Sequence, residues 1–185
     1  GAASGLFDVA TGNQIYLYKV GDTIVGRVGS GVATADPAGT AAFVVSVDAN
    51  GVVTLDQVRA LTHPDTASND EPIAMLTDGL ISLSLVVTDR DGDAVSASVN
   101  IASNLVFEDD GPSLGVSSGS EPSILVDETN LAANASASFA ALLGAAGASY
   151  GADGAGTTVY ALNVSGAGAA SGLFDVATGN QIYLY

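Results

Sequence analysis

The chain has no cysteine and no tryptophan among its 185 residues, a single histidine and only four basic residues. Without cysteine there can be no disulfide, no zinc–thiolate site and no thiol nucleophile. The four basic residues are scattered and cannot form the footprint that phosphate binding requires, and 20 acids bring the net charge to −16. No apolar run approaches the roughly 18 residues of a membrane span. The composition therefore argues against nucleic-acid partners and membrane insertion.

The single histidine, His63, has no sequence setting that indicates catalysis. Asp65 lies close to it and serines are abundant, but abundance does not define a catalytic triad. The glycine-rich stretch 151–156 lacks the lysine that follows a phosphate-binding loop. We therefore predict that His63 is a packed or turn histidine and that the protein is not an enzyme.

Small hydrophobic residues between glycine-containing turns dominate the chain and indicate β-structure. Apolar residues alternate along Ile81–Thr88 and Ala94–Ile101, which predicts a hairpin with one buried face. The segments Ala42–Val47 and Val52–Leu55 flank an Asn-Gly turn at 48–51, which predicts a second hairpin.

Two more strands are expected at Gln14–Tyr18 and Thr23–Val28, whereas helical patterns are short. Only Leu55–Leu61 and Ser136–Leu143 have helical composition. The sequence thus predicts an all-β protein with at most two short helices.

One segment of the chain is present twice. The sequence at 1–18, GAASGLFDVATGNQIYLY, recurs without change at 168–185, which corresponds to a period of 167. This period is much longer than those of solenoids, so each repeat should be a whole domain. We expect the chain to be one period of a tandem array whose neighbouring repeats are its partners.

The predicted seam between repeats lies at 107–112, where three acids precede Gly-Pro and a strand must end. On this interpretation residues 1–110 are the later two-thirds of one repeat and residues 111–185 are the first part of the next. Segments 1–18 and 168–185 would then compete for one place in a fold. We expect one copy to be displaced, to lie in a separate half-domain, or to complete a neighbouring molecule by head-to-tail swapping.

The strongest chemical signal is the run Asp89-Arg90-Asp91-Gly92-Asp93 at the tip of the first predicted hairpin. Carboxylates at alternate positions around a glycine can converge on one point, and Ca²⁺ takes six to eight hard oxygens in flexible geometry. No glutamate at the twelfth position and no flanking helices are present, so the run is not an EF-hand. A calcium site and a solvated Asp-Gly turn both remain open.

Two further acidic groups lie near the predicted seam: Glu108, Asp109 and Asp110, then Asp127 and Glu128. Acids from a loop, a linker and a following domain could share ions at such a junction. The alternative is that they only keep edge strands soluble.

Four motifs together resemble the repeat domains of giant type I secreted RTX adhesins of Gram-negative bacteria. They are LVVTDRDGD at 85–93, VFEDDGP at 106–112, SILVDET at 123–129 and TVYALNV at 158–164. The resemblance extends over nearly the whole period, although the C-terminal nonapeptide repeats of such adhesins are absent.

This resemblance implies an immunoglobulin- or cadherin-like β-sandwich that extends an adhesin on the bacterial cell surface, is rigidified by Ca²⁺, and projects a distal binding region for adhesion and biofilm formation. An alternative function is a calcium-dependent carbohydrate- or surface-binding module repeated for avidity. Arg90 departs from the family pattern, in which a small or acidic residue is common at this position. The calcium ligands that the resemblance implies are Asp89, Asp91, Asp93, Glu108, Asp109, Asp110, Asp127 and Glu128.

Overall fold

Antiparallel strands make up nearly all the regular structure of the protein. The computed structural model describes residues 1–116, 119–144 and 148–185. The strands are β1 (Ala2–Phe7), β2 (Gln14–Val20), β3 (Thr23–Val28), β4 (Ala41–Val47), β5 (Val53–Gln57), β6 (Pro72–Ala74), β7 (Ser82–Thr88), β8 (Ala94–Asn100), β9 (Val106–Glu108), β10 (Ala169–Phe174) and β11 (Gln181–Leu184). Three single turns of 3₁₀ helix lie at Asp78–Leu80, Ala102–Asn104 and Glu128–Asn130. The predicted all-β class is confirmed.

The chain divides into two units, Gly1–Ala155 and Gly156–Tyr185. Strands β1 to β9 belong to the first unit, and β10 and β11 form a two-stranded sheet in the second. The predicted repeat phase, 1–110 and 111–185, refers to an array of repeats and stays a prediction.

A five-stranded meander, in the order β1-β2-β3-β4-β5, is the main sheet of the first unit. The predicted turn between β4 and β5 is present, because the Asp48 carboxylate accepts hydrogen bonds from the backbone N–H of Asn50 (2.9 Å) and Val52 (2.8 Å). Such an Asx turn closes a hairpin with little help from the rest of the fold.

The core lies between one face of this sheet and the β6–β9 pair, which gives the first unit the two layers of a β-sandwich. The rings of Phe43 on β4 and Phe107 on β9 are buried, with centroids 5.0 Å apart and planes tilted by 53°. Tilted aromatic pairs at this spacing are favourable beyond the area they bury. The other buried apolar residues of this cluster are Leu6, Ile15, Leu17, Val28, Ala42, Val45, Leu61, Met75, Ile81, Ala102 and Leu105.

The predicted hairpin of β7 and β8 is present, with Leu85 opposite Ala97 and Val87 opposite Val95. The prediction that one of its faces is buried is wrong. Leu85 is 65% exposed and Val95 is 68% exposed. The two strands form a sheet of their own, so only Ile81 at the base of the hairpin is buried in the core.

The prediction of helical structure in two segments, Leu55–Leu61 and Ser136–Leu143, is also wrong. Leu55 lies in β5, because pairing with Val45 of β4 outweighs the weak helical propensity of a short segment. The end of the segment Ser136–Leu143 forms overlapping turns and not a helix, with bonds from the Leu142 N–H to the Phe139 carbonyl and from the Leu143 N–H to the Ala140 carbonyl. Within the described residues, no helical segment has the length and apolar character needed to cross a bilayer.

Candidate metal site

Three aspartates lie at the tip of the β7–β8 hairpin. Asp89 organises this turn: its carboxylate accepts hydrogen bonds from the N–H groups of Gly92 (3.0 Å) and Asp93 (2.8 Å). The Asp89 N–H also donates to the Asp93 carbonyl at 2.9 Å. Gly92 has φ of +108°, a conformation that a residue with a side chain rarely adopts. The aspartate and glycine positions therefore determine the turn locally.

The turn brings the predicted carboxylates together. One oxygen from each of Asp89, Asp91 and Asp93 lies within 4.8 Å of the others, and all three side chains are exposed. This cluster can hold a metal ion. Among the described residues it is the one group of three or more acidic, histidine or cysteine side chains with such spacing.

The carboxyl groups of this cluster interact with one another. A side-chain hydrogen bond between Asp91 and Asp89 lowers the pKa of Asp89; burial opposes this change, and hydrogen bonds from the backbone N–H groups of Asp93, Gly92 and Asp91 lower the pKa further. Three carboxylates within 4.8 Å of one another repel when they are ionised. A cation placed among them would offset that repulsion.

The donor set fits a hard cation. All the side-chain ligands are carboxylate oxygens, which suit Ca²⁺ and Mg²⁺ rather than metals that prefer nitrogen or sulfur. Because the three aspartates are exposed, water can complete a shell that they fill only in part.

The structure places the second predicted group, Glu108 to Asp110, at the end of β9. The Asp109 carboxylate accepts from the Asp110 N–H (2.9 Å), and the Asp110 carboxylate accepts from the Ala152 N–H (3.0 Å). Glu108 is exposed and lies opposite Pro72 in the β6–β9 ladder. In the described part of the chain these side chains do not join a three-residue metal cluster, so their role as ligands stays a prediction.

The third predicted group, Asp127 and Glu128, lies at a single turn of 3₁₀ helix. The Asp127 carboxylate accepts from the Thr129 N–H at 2.8 Å, and hydrogen bonds with the side chain and backbone of Thr129 lower the pKa of Asp127. This contact is a helix cap. Calcium binding here also stays a prediction.

His63 is a packed histidine, as predicted. Its side chain is 4% exposed, and its Nδ1 lies 2.9 Å from the Leu61 carbonyl and 3.4 Å from the Asp109 carboxylate. Its Nε2 lies 3.3 Å from the Phe107 carbonyl. These contacts tie the loop after Leu61 to the end of β9.

Sequence reasoning missed Asp153, which lies near this histidine. Burial and the negative charges of Asp109 and Asp110 raise the pKa of Asp153, while His63 acts in the opposite direction. An aspartate between Ala152 and Gly154 in a long loop gives no signal that it lies near acids far earlier in the chain, since only folding brings them together.

An ion pair between the buried carboxylate of Asp8 and the partly exposed guanidinium of Arg59 was also missed. Arg59 donates from Nε to one Asp8 oxygen (2.7 Å) and from an Nη group to the other (3.2 Å), while Thr11 donates its hydroxyl at 2.7 Å. Burial alone would raise the pKa of Asp8, but the hydrogen bonds from Arg59 and Thr11 and the charge of Arg59 lower it. The ion pair fixes the β1–β2 turn to the segment that follows β5.

The comparison with known families matches most of the chain, at residues 1–102 and 123–185. The chain belongs to the family described as Domain of unknown function (DUF5801). The DUF5801 description names no activity. No curated protein and no solved structure matches the chain.

Proposed function

We propose that this DUF5801 chain is a non-catalytic structural repeat that extends an extracellular adhesin on a bacterial cell surface. The observation that carries the proposal is the exact duplication of segment 1–18 at 168–185, with both copies folding into the same hairpin. A whole-domain period suits spacing and display, whereas an active site seldom requires copying. The motif resemblance to type I secreted RTX adhesins supports the extracellular setting and an immunoglobulin- or cadherin-like repeat.

We further propose that Ca²⁺ binds the Asp89, Asp91 and Asp93 cluster and stiffens the protein. A net charge of −16 in 185 residues makes each repeat repel its neighbours at low salt. A divalent cation at the hairpin tip relieves local repulsion and links the ends of β7 and β8. Extracellular calcium modules have dissociation constants of about 10⁻⁴ to 10⁻³ M, so millimolar calcium stabilises each site by about 0.4 to 1.4 kcal/mol.

The mechanical role results from the calcium stabilisation of many repeats along an array. A single site changes the stability of one domain only slightly, but repeated sites can shift a long chain from flexible to extended. Neighbouring identical repeats in the same polypeptide are the expected partners. A distal region would then make the contact with the target.

The test is calcium titration of the protein and of two variants with equal charge changes. Asp91→Asn/Asp93→Asn removes two candidate ligands and leaves the Asp89 turn bonds in place. Asp22→Asn/Asp56→Asn removes two exposed acids outside the cluster. Calorimetry and thermal melting with calcium, magnesium and chelator should show binding by the wild type and by the control variant but not by the Asp91/Asp93 variant.

Two results would contradict the calcium proposal. One is a melting temperature of the wild type that chelator leaves unchanged, which would identify the tip as a solvated Asp-Gly turn. The other is an equal loss of binding in both variants, which would show a general charge effect. Small-angle scattering of two linked repeats tests the spacer role separately, since calcium should lengthen and stiffen that particle.

A further inference from the structure

We propose that residues 168–185 of one molecule can replace residues 1–18 in the main sheet of a second molecule and so join copies head to tail. We name residues 168–185 the tail copy and residues 1–18 the resident copy. This inference goes beyond the proposed spacer function and does not depend on the metal site. It rests on the contacts that the resident copy makes and on the state of the same groups in the tail copy.

The resident copy is held by a receiving edge made of β3, residues 59–62 and Leu76. Along β3 the pairs of the resident copy run from Ile15 opposite Val28 to Tyr18 opposite Val25. Backbone bonds add the Leu76 N–H to the Ser4 carbonyl (2.9 Å). The other bonds across this edge run from the Thr62 N–H to the Phe7 carbonyl (2.9 Å), from the Val9 N–H to the Ala60 carbonyl (3.3 Å) and from Arg59 to the Asp8 carboxylate (2.7 Å).

The tail copy carries the same groups in the same internal geometry. Ala169 lies opposite Leu184 and Phe174 opposite Gln181, which repeats the pairing of Ala2 with Leu17 and of Phe7 with Gln14. The tail copy therefore needs no refolding of its backbone to fit the receiving edge.

The apolar side chains of the tail copy are exposed where those of the resident copy are buried. Leu173 is 64% exposed, against 3% for Leu6 in the resident copy. Ile182 and Tyr183 are exposed as well, whereas Ile15 and Tyr16 are buried. An exposed apolar hairpin with the sequence of a buried one has a ready-made binding site on any second copy of the chain.

The resident copy has one advantage, which is its covalent link to β3 through a short turn. A short flexible link gives an effective concentration of about 1 mM. The contacts of the two copies are otherwise equal, so the tail copy of a second molecule should compete only near that concentration. A truncation that weakens the resident copy about a hundredfold lowers the crossing point to about 10 µM.

The first experiment compares Leu6→Ala, Leu173→Ala and the double variant by sedimentation velocity, with chelator present. Leu6→Ala should form head-to-tail oligomers above about 10 µM. Leu173→Ala should stay monomeric, because only the tail copy is weakened. The double variant should also stay monomeric. Both copies are then weakened equally, so the covalent link again favours the resident copy. Equal association of Leu6→Ala and the double variant would overturn the proposal, because it would indicate non-specific aggregation.

A second experiment keeps the core intact in case Leu6→Ala fails to fold. The chain has no cysteine, so introduced thiols report only the designed contact. Tyr16 lies opposite Arg27, and its counterpart in the tail copy is Tyr183. Opposed strand residues are close enough for a disulfide. At about 1 mM protein, where the tail copy competes with the resident copy, Arg27→Cys/Tyr183→Cys should therefore form covalent dimers and longer ladders under oxidation.

Arg27→Cys/Tyr160→Cys is the matched control, since Tyr160 is exposed but outside the tail copy. Ladders from the Tyr183 variant and few from the Tyr160 variant support the proposal. Equal ladders from both, or a disulfide closed within single chains of the Tyr183 variant, overturn it. Calcium binding is tested in a separate experiment. If the calcium-stiffened spacer proved wrong, the outcome of the cross-linking experiment would still stand.

Discussion

One amino-acid segment occupies two different environments in this protein, at 1–18 and at 168–185. In both copies the hairpin has the same register and the same irregularity, and the Ser4 hydroxyl donates to the Ile15 carbonyl at 2.6 Å as Ser171 donates to Ile182 at 2.7 Å. Gly5 has φ of +83° and Gly172 has φ of +79°. The local structure is therefore a property of the segment itself.

Burial separates the two copies. Ile15 is completely buried, whereas the equivalent Ile182 is 44% exposed. The two segments are identical in sequence, so the core contacts of the first copy come entirely from the rest of the first unit, chiefly β3, β4 and the segment around Leu61. The conformation of a hairpin can be specified by its own residues, whereas its contribution to stability depends on what it packs against.

Electrostatics differ in the same way. Both turn aspartates have a lowered pKa, but the causes are different. At Asp8 burial would raise the pKa and is overcome by the hydrogen bonds and charge of Arg59 together with Thr11, whereas at Asp175 hydrogen bonds from Thr178 account for most of the change. Among the described residues, only the buried copy has a long-range partner for its charge.

Stability should change most when a buried aromatic residue is truncated in the core cluster to which the first copy belongs. Phe43→Ala should lower the free energy of unfolding of the first unit by about 3 to 5 kcal/mol, because it leaves a cavity against Phe107. Phe174→Ala, which truncates an exposed ring, should change it by less than about 0.5 kcal/mol. Urea unfolding followed by circular dichroism measures both, and equal effects would contradict the core described above.

A second pair of variants, Gly5→Ala and Gly172→Ala, separates backbone strain from steric contact with a neighbouring residue. A side chain at Gly5 would place its Cβ 2.7 Å from the Leu76 Cβ, whereas one at Gly172 meets nothing within 4 Å. Both Gly→Ala changes carry the cost of a left-handed backbone, about 1 to 2 kcal/mol. Gly5→Ala should add a further ~1 to 3 kcal/mol from crowding.

Hydrogen exchange of the β2 and β11 amides reports the cost of each glycine change to its own hairpin. The comparison is made at about 1 µM protein, far below the effective concentration of the resident copy. An equal loss of protection in the two hairpins would mean that Leu76 moves aside without cost.

The third pair tests the buried charge. Asp8→Asn leaves the Arg59 guanidinium without its carboxylate partner and should lower the free energy of unfolding by about 2 to 3 kcal/mol, since Arg59 is partly exposed and water screens part of the loss. Asp175→Asn removes only turn bonds and should leave the first unit within about 0.5 kcal/mol of wild type. Chemical denaturation at neutral pH measures both variants.

The smallest expected effect is the change with pH in the stability that the Asp8–Arg59 ion pair provides. The folded-state pKa of Asp8 lies below its ordinary value of 3.8, so its stabilising effect is fully present above pH 3.8 and disappears as the pH falls through the lower, folded-state pKa. The difference in stability between wild type and Asp8→Asn should therefore narrow in acid, with chelator present. Asp175→Asn is the control, and its stability difference from wild type, measured through hydrogen exchange of the β2 amides, should not change as the pH falls. If the stability difference between wild type and Asp8→Asn also stays constant as the pH falls, Arg59 does not influence the Asp8 carboxyl.

Strand positions and turns could be predicted because their signals are local. The turn at Asp48, the hairpin of β7 with β8 and the convergence of Asp89, Asp91 and Asp93 all follow from alternation and from aspartate and glycine at set positions. The open face of the β7–β8 hairpin could not be predicted, because alternation shows that a face is apolar but not whether another layer covers it.

The all-β class, the repeated hairpin and the acidic turn each depend on residues a few positions apart, so the amino-acid order is enough to specify them. Which copy of the hairpin is buried, the pairing of Arg59 with Asp8 and the approach of Asp153 to His63 and Asp109 are settled only when the chain folds. Those outcomes depend on contacts between residues far apart in the chain. Identical segments can therefore share a conformation while differing in burial and charge pairing.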